Sequence, residues 1–171
     1  MRSATDLGKN LRTNLFSADK IAVLGIGSSL RADDSAGMLV AKAISEKTKR
    51  SKKLSKCVKI FLGDTAPENL TGEIKRYEPS HLVLIDSCDL GKKPGSISII
   101  NPDLVAGVSF STHQLPLKIL IDYIQHSISC KVLIIGIQPK TLQYEKPLSK
   151  EVLKAVKELS TALFESIRSV I

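Results

Sequence analysis

The sequence predicts a single α/β domain: a mostly parallel, twisted sheet with helices on both faces, three layers in all. Three observations point there. Short apolar runs rich in Ile, Val and Leu alternate along the chain with stretches whose apolar residues recur at helical spacing. The run after His81, LVLI at 82–85, is continuous rather than alternating, as in a strand covered on both faces. The last stretch, from about Ser149, sets Val152, Leu153, Val156, Leu159, Leu163, Phe164 and Ile167 on the stripe of one long helix.

Each element has its own warrant. Leu7, Leu11, Leu15 and Phe16 predict a short helix in an extension over residues 1–20, packed on a domain that spans 1–171. The stretch lacks the unbroken apolar core of a signal peptide. IAVLGI at 21–26 reads as a buried strand. Residues 34–46 read as a helix with Met38, Leu39, Ala41, Ala43 and Ile44 inward. A basic loop leads to a second strand, VKIFL at 58–62. Residues 67–77 read as a helix, with Pro67 in its first turn and Glu68 near its positive end. HLVLI at 81–85 is the third strand. SISII at 96–100 is a shorter one, entered through Pro94-Gly95 and followed by Asn101-Pro102 as a cap and first-turn proline. Leu117, Leu120, Ile121 and Ile124 predict a helix over 115–125, and KVLIIGI at 131–137 a central strand. There is no internal repeat, low-complexity tract or interdomain linker.

Composition excludes several functions. Of the 171 residues, 43% are hydrophobic but only 4% aromatic, with no Trp, which argues against stacking of bases on aromatic platforms. The net charge is +8, yet residues 47–59 alone hold Lys47, Lys49, Arg50, Lys52, Lys53, Lys56 and Lys59 with no acid, so the rest of the chain is almost neutral. One solvated basic connection is not the basic face plus reading element that nucleic acid requires. No nucleic-acid partner is expected. Cys57, Cys88 and Cys130 form no CxxC pair, so neither a zinc ribbon nor a disulfide framework is indicated and a cytoplasmic protein is expected. No apolar stretch reaches the ~18 residues of a membrane span, and none is expected to insert.

In a doubly covered parallel sheet, chemistry collects beyond the C-terminal ends of the strands. Asp34 follows the first strand and Asp86 ends the third; His113, in FSTHQLPL, would reach the same edge from a loop. Two carboxylates and an imidazole make a three-point cation site with open positions. A carboxylate at the tip of a buried strand is costly without partners. Asp33 and Asp34 also invite a simpler reading: one of them caps the helix and the other faces the cleft. His81 and His126 are read as satisfied or surface histidines.

Two rivals are weighed. Gly25-Ile26-Gly27 between strand and helix raises dinucleotide binding of the Rossmann type. The third glycine of that fingerprint is replaced by Leu30, and two acids at the helix mouth would repel a pyrophosphate. Cys88 with His113 could form a cysteine hydrolase, but nothing in the sequence activates the thiol. No serine sits in a nucleophile-elbow pattern.

The ordered set GIGSSLRADDSAG (25–37), GDTAPEN (63–69), LIDSCDLGKKPGSISIINPD (84–103), STHQLPLKILID (111–122) and GIQP (136–139) resembles the hydrogenase maturation endopeptidases. It is most similar to the type serving formate-hydrogenlyase-like nickel–iron hydrogenases, over roughly residues 21–165. The resemblance implies an aspartyl-type endopeptidase that removes the C-terminal extension of a hydrogenase large-subunit precursor after nickel insertion. It implies that Asp34, Asp86 and His113 contact the metal and carry the reaction. Nickel would be presented by the precursor, with weak binding by the isolated chain, a monomer. Gly27-Ser28 stands where the family has Gly-Asn, and Gly63-Asp64 where it has paired glycines. A metal-insertion scaffold without catalysis is the remaining alternative.

Overall fold

The computed structural model describes residues 4–102, 109–110 and 114–171. The described chain runs α1 (Ala4–Asn14), β1 (Ile21–Ile26), a 3-10 turn (Ala32–Ser35), α2 (Ala36–Thr48), α3 (Leu54–Cys57), β2 (Val58–Asp64), a second 3-10 turn (Pro67–Leu70), α4 (Thr71–Tyr77), β3 (His81–Asp89), β4 (Ile97–Ile100), β5 (Ser109–Phe110), α5 (Gln114–Ser127), β6 (Lys131–Ile137) and α6 (Lys150–Val170). The strands lie in the order β2-β1-β3-β6-β4, with the short β5 paired off the end of β3. β2, β1, β3 and β6 are mutually parallel. β4 runs antiparallel to β6, and β5 antiparallel to β3. The predicted mostly parallel α/β sheet is therefore present.

Alternation along the strands sorts the core into two halves. Ile21, Val23, Val83, Ile85, Leu133 and Ile135 meet α1, α2 and α6 on one face. Ala22, Leu24, Leu82, Leu84 and Ile134 meet α4 and α5 on the other. The terminal helix stripe is buried as its period requires, save that Leu153 stays exposed and Phe164 half-buried. Ser149 caps α6, its hydroxyl accepting from the Val152 amide. Leu11 of the N-terminal helix and Leu15 just past its end are buried in the same cluster as the α6 stripe.

Three readings are corrected. The helix predicted from residue 34 begins at Ala36, because 32–35 form a tighter 3-10 turn. The third strand continues past Ile85 to Asp89. The basic connection is not simply a loop: α2 extends to Thr48 and α3 buries Leu54, the one apolar anchor among the lysines. The cap predicted at Asn101-Pro102 leads into residues 103–108, outside the described residues.

Candidate functional site

The site begins with glycine chemistry at the end of β1. Gly27 has φ of 120°, and a Cβ there would lie 1.8 Å from the Asp34 carbonyl oxygen. Only glycine lets the acid-bearing turn fold back this closely. At Gly37 a Cβ would meet the carbonyl oxygens of Ile85 at 2.1 Å and Ile26 at 2.5 Å. The start of α2 is thus pressed against the ends of β1 and β3. Together these contacts carry Asp34 to the edge where β3 delivers Asp86.

Both acids are buried, Asp34 completely and Asp86 to 1% exposure. Asp34 Oδ2 accepts from the Ser28 amide at 3.0 Å, and its Oδ1 accepts a long bond of 3.4 Å from the Ser87 hydroxyl. Asp86 Oδ1 accepts from the Ser87 amide at 2.7 Å. Asp86 Oδ2 has no hydrogen-bond partner among the described residues. Ser87 therefore links the two carboxylates. Burial, reinforced by the nearby Asp34 carboxylate, pushes the Asp86 pKa up to about 8, against the pull of the Ser87 amide. Both causes favour the protonated form of this acid in the free protein.

His113 lies outside the described residues. On its two sides in sequence, β5 pairs Phe110 with Cys88 and Ser109 with Asp89, and α5 begins at Gln114.

Asp33 does something the sequence reading missed. Neither it nor Asp34 caps a helix through its side chain. The Asp33 carboxylate is fully buried and accepts three amides: Lys140 at 2.8 Å and Thr141 at 3.1 Å on Oδ2, Ser149 at 2.7 Å on Oδ1. It fastens the segment after β6 to the turn of Asp34. Gln138, from GIQP, acts similarly: its side-chain oxygen accepts from the Leu90 and Lys92 amides at 2.7 and 3.2 Å, and its amide nitrogen donates to Asp89 at 3.3 Å. For Gln138 the clue was a polar residue directly after a buried strand, and for Asp33 a second acid beside Asp34; the partners of both, backbone amides far along the chain, are not visible in sequence.

The rivals fare poorly on this geometry. The Gly27 amide donates to the Asp64 carbonyl and the Ser28 amide to Asp34, so the amides that would cradle a pyrophosphate are already engaged. Cys88 is fully buried, and its pKa is pushed up to about 12 by burial and then by Asp86 and Asp89, against the pull of Lys92. That is the reverse of an activated thiol. His126 is a surface residue on α5, with Nδ1 2.6 Å from the Asp122 carbonyl oxygen. His81 departs from its reading: it is buried, with Nδ1 3.1 Å from the Ser80 hydroxyl and Nε2 without a partner among the described residues.

Comparison with known proteins gives the family of the chain. The sequence profile of the hydrogenase maturation proteases matches residues 42–166. The chain belongs to that family. It is 33% identical over 159 residues to a Methanocaldococcus jannaschii relative, covering 92% of this chain and 94% of the relative. It is 33% identical to the hydrogenase 3 maturation protease of Escherichia coli over 135 residues, 78% of this chain and 82% of that protein. The crystal structure of the NiFe hydrogenase maturation protease HycI from Thermococcus kodakarensis superposes with a TM-score of 0.82 at 27% identity, covering 93% and 99% of the two chains. The solution structure of the E. coli endopeptidase HycI gives 0.73 at 31% identity, with 85% and 90% covered. This hydrogenase maturation protease is therefore a peptidase, with the α/β fold of its relatives. No helix among its described residues is long and apolar enough to cross a membrane.

Proposed function

We propose that this peptidase removes the C-terminal extension of a nickel–iron hydrogenase large-subunit precursor, and that it does so by contacting the nickel the precursor presents. The observation that carries the reading is Asp86: a buried carboxyl with an oxygen lacking a described partner, linked through Ser87 to a second buried carboxylate, and driven by burial and by that carboxylate toward its protonated form. A cation delivered to this edge would supply the missing partner and displace the proton. Asp34 and Asp86 would offer oxygen, and His113 a neutral imidazole nitrogen, to an ion whose remaining positions are filled by the precursor's own thiolates. The isolated chain would then bind nickel weakly, since it supplies no cysteine to the site. In this reading the acids gauge the nickel and are also the aspartyl-type machinery of the cut: a carboxylate oxygen not engaged by the ion would take a proton from the attacking water and pass it to the leaving amine nitrogen as the peptide bond is broken. The three free cysteines suit a cytoplasmic enzyme, and we take the working unit to be a monomer.

The test is to incubate the purified protein with nickel-loaded and nickel-free precursor and follow the shortening of the large subunit. Cleavage of the loaded form alone is expected. Efficient cleavage of the nickel-free form, insensitive to chelator, would leave a plain carboxylate peptidase. Nickel-loaded precursor that is bound but never cut would leave an insertion scaffold.

A further inference from the structure

We infer that Asp33 is a positioning residue for the reaction, acting through its neighbour Asp34. The inference rests on the processing role just proposed. Three facts meet at this turn. Ala32, immediately before the two acids, is buried with φ of 34°, in the left-handed region that a Cβ disfavours. A conformation of that kind persists only where its surroundings over-determine it. The surroundings here are the bonds of Asp33: three amides donate to its carboxylate, and its own amide donates to the Thr141 carbonyl at 3.2 Å. The side chain of Arg31 joins them, Nε donating to the Leu142 carbonyl at 3.3 Å. The turn and the 140–149 segment are thereby locked as one body. The next residue in the chain is Asp34, whose own amide closes the same turn onto the Arg31 carbonyl at 2.8 Å.

A buried carboxylate with its acceptors filled by backbone donors is a firm fixing point. An amide in its place presents an NH2 where amides already point, so at least one bond is lost and a donor is set against donors. The strained turn then relaxes, and Asp34 loses its set position against the Ser28 amide and Asp86. Displacements of this kind lower turnover more than binding.

The experiment compares wild type, Asp33→Asn and Glu151→Gln. The last removes the charge from the exposed 2.7 Å ion pair between Lys140 of that segment and Glu151 of α6, and leaves the carboxylate clamp alone. The readouts are kcat and KM on nickel-loaded precursor, the thermal midpoint, and amide hydrogen exchange. Asp33→Asn is expected to lower kcat at least tenfold with KM within twofold. It should also speed exchange at least tenfold at the Ser28 amide, which donates to Asp34 and not to Asp33. Glu151→Gln should match wild type. Should Asp33→Asn fail to fold, Thr141→Pro, which deletes one donor to Asp33 Oδ2, carries the same comparison. Faster exchange confined to the 140, 141 and 149 amides, with Ser28 and kcat unaltered below the melting range, would overturn the inference and make Asp33 a stability residue only. Were wild type itself inactive on the precursor, the processing reading would fall, and exchange at Ser28 would still decide for or against the clamp.

Discussion

The two ends of β3 carry the same problem with opposite signs. At its N-terminal end, His81 is buried with Nε2 unpartnered among the described residues; near its C-terminal end, Asp86 is buried with Oδ2 in the same condition. Each is driven toward its neutral form, chiefly by desolvation. His81 is lowered by burial and then by the Lys131 charge, against a weaker pull from Asp19. Asp86 is raised by burial and then by Asp34. The acids converge on one end of the sheet, while the basic connection of α3 enters at the other, where β2 starts beside Ile21. A neutral imidazole beside lysine has nothing to recruit. A protonated carboxyl beside a carboxylate is poised to exchange its proton for a cation. That asymmetry is why we propose the chemistry at the C-terminal end.

The largest expected effect breaks the comparison outright. Asp34→Asn, Asp86→Asn and His113→Ala should each lower processing of nickel-loaded precursor by about a hundredfold or more, on the scale of lost general acid–base groups. For the two acids the fold should survive, because an amide of the same shape replaces each carboxyl and no apolar packing is removed. Near-normal cleavage by any two of them, at normal protein levels, would move the site elsewhere. His81→Gln should cleave as wild type does.

The second effect is on stability, and the two ends should respond to pH in opposite directions. Asp86 has a folded pKa of about 8 against 3.8 unfolded, so between those values the native state holds the extra proton. Stability should therefore fall as pH rises from about 4 to 8 on account of this group. Asp86→Asn should flatten that fall, raising the thermal midpoint at pH 8 relative to pH 4 by several degrees, at about 2–4 °C per kcal/mol. His81 has a folded pKa below the usual 6.5, so the unfolded state binds the proton more readily once pH drops through that value. Stability should fall below about pH 6.5, and His81→Gln should lessen the loss. Melting curves for the two variants from pH 4 to 9 that parallel wild type would show that neither group is held neutral.

Much of this was legible in the sequence, for definable reasons. Strands 21–26 and 131–137 were readable because burial on both faces leaves continuous apolar runs, and the last helix because its stripe holds the 3.6-residue period. Asp34 and Asp86 were readable because strand ends in a parallel sheet converge. What stayed hidden depended on contacts between distant residues. The 3-10 turn at 32–35 is imposed by Gly27 and by the 140–149 segment, and no local propensity announces it. Leu54 is a single apolar residue among lysines, too little for a period, yet it anchors α3. His81 reads as a satisfied or surface histidine because the register that sets it between Ile21 of β1 and Lys131 of β6 is not visible in the sequence.

The third effect is kinetic. Replacing the seven basic residues of 47–59 with Ser or Gln should slow processing a few-fold at low salt and hardly at all at high salt, because charge remote from the site acts on encounter. Rates measured from about 20 to 500 mM salt would separate the two regimes. A total loss at every ionic strength would place that end of the molecule in direct contact with substrate and undo the contrast between the two ends.

The smallest expected effect concerns Cys88, which belongs to the acid end by position and to the core by chemistry. Its Sγ fills the space left by Gly136, where a Cβ would lie only 2.2 Å away. Its thiol, pushed up to about 12, is almost entirely un-ionised at working pH. A nucleophile needs the thiolate, and the carboxyls on either side of this residue oppose a second negative charge. Cys88→Ala should therefore keep kcat within twofold of wild type. It should lower the thermal midpoint by a few degrees, the cost of a small cavity at about 1 kcal/mol. Alkylation of the folded protein at pH 8 should also spare Cys88 in peptide mapping. Complete loss of processing with an unaltered melting temperature would revive the thiol mechanism. A lower melting temperature with intact turnover would show that the acid end works through oxygen, with sulfur serving only to pack β3 against β6.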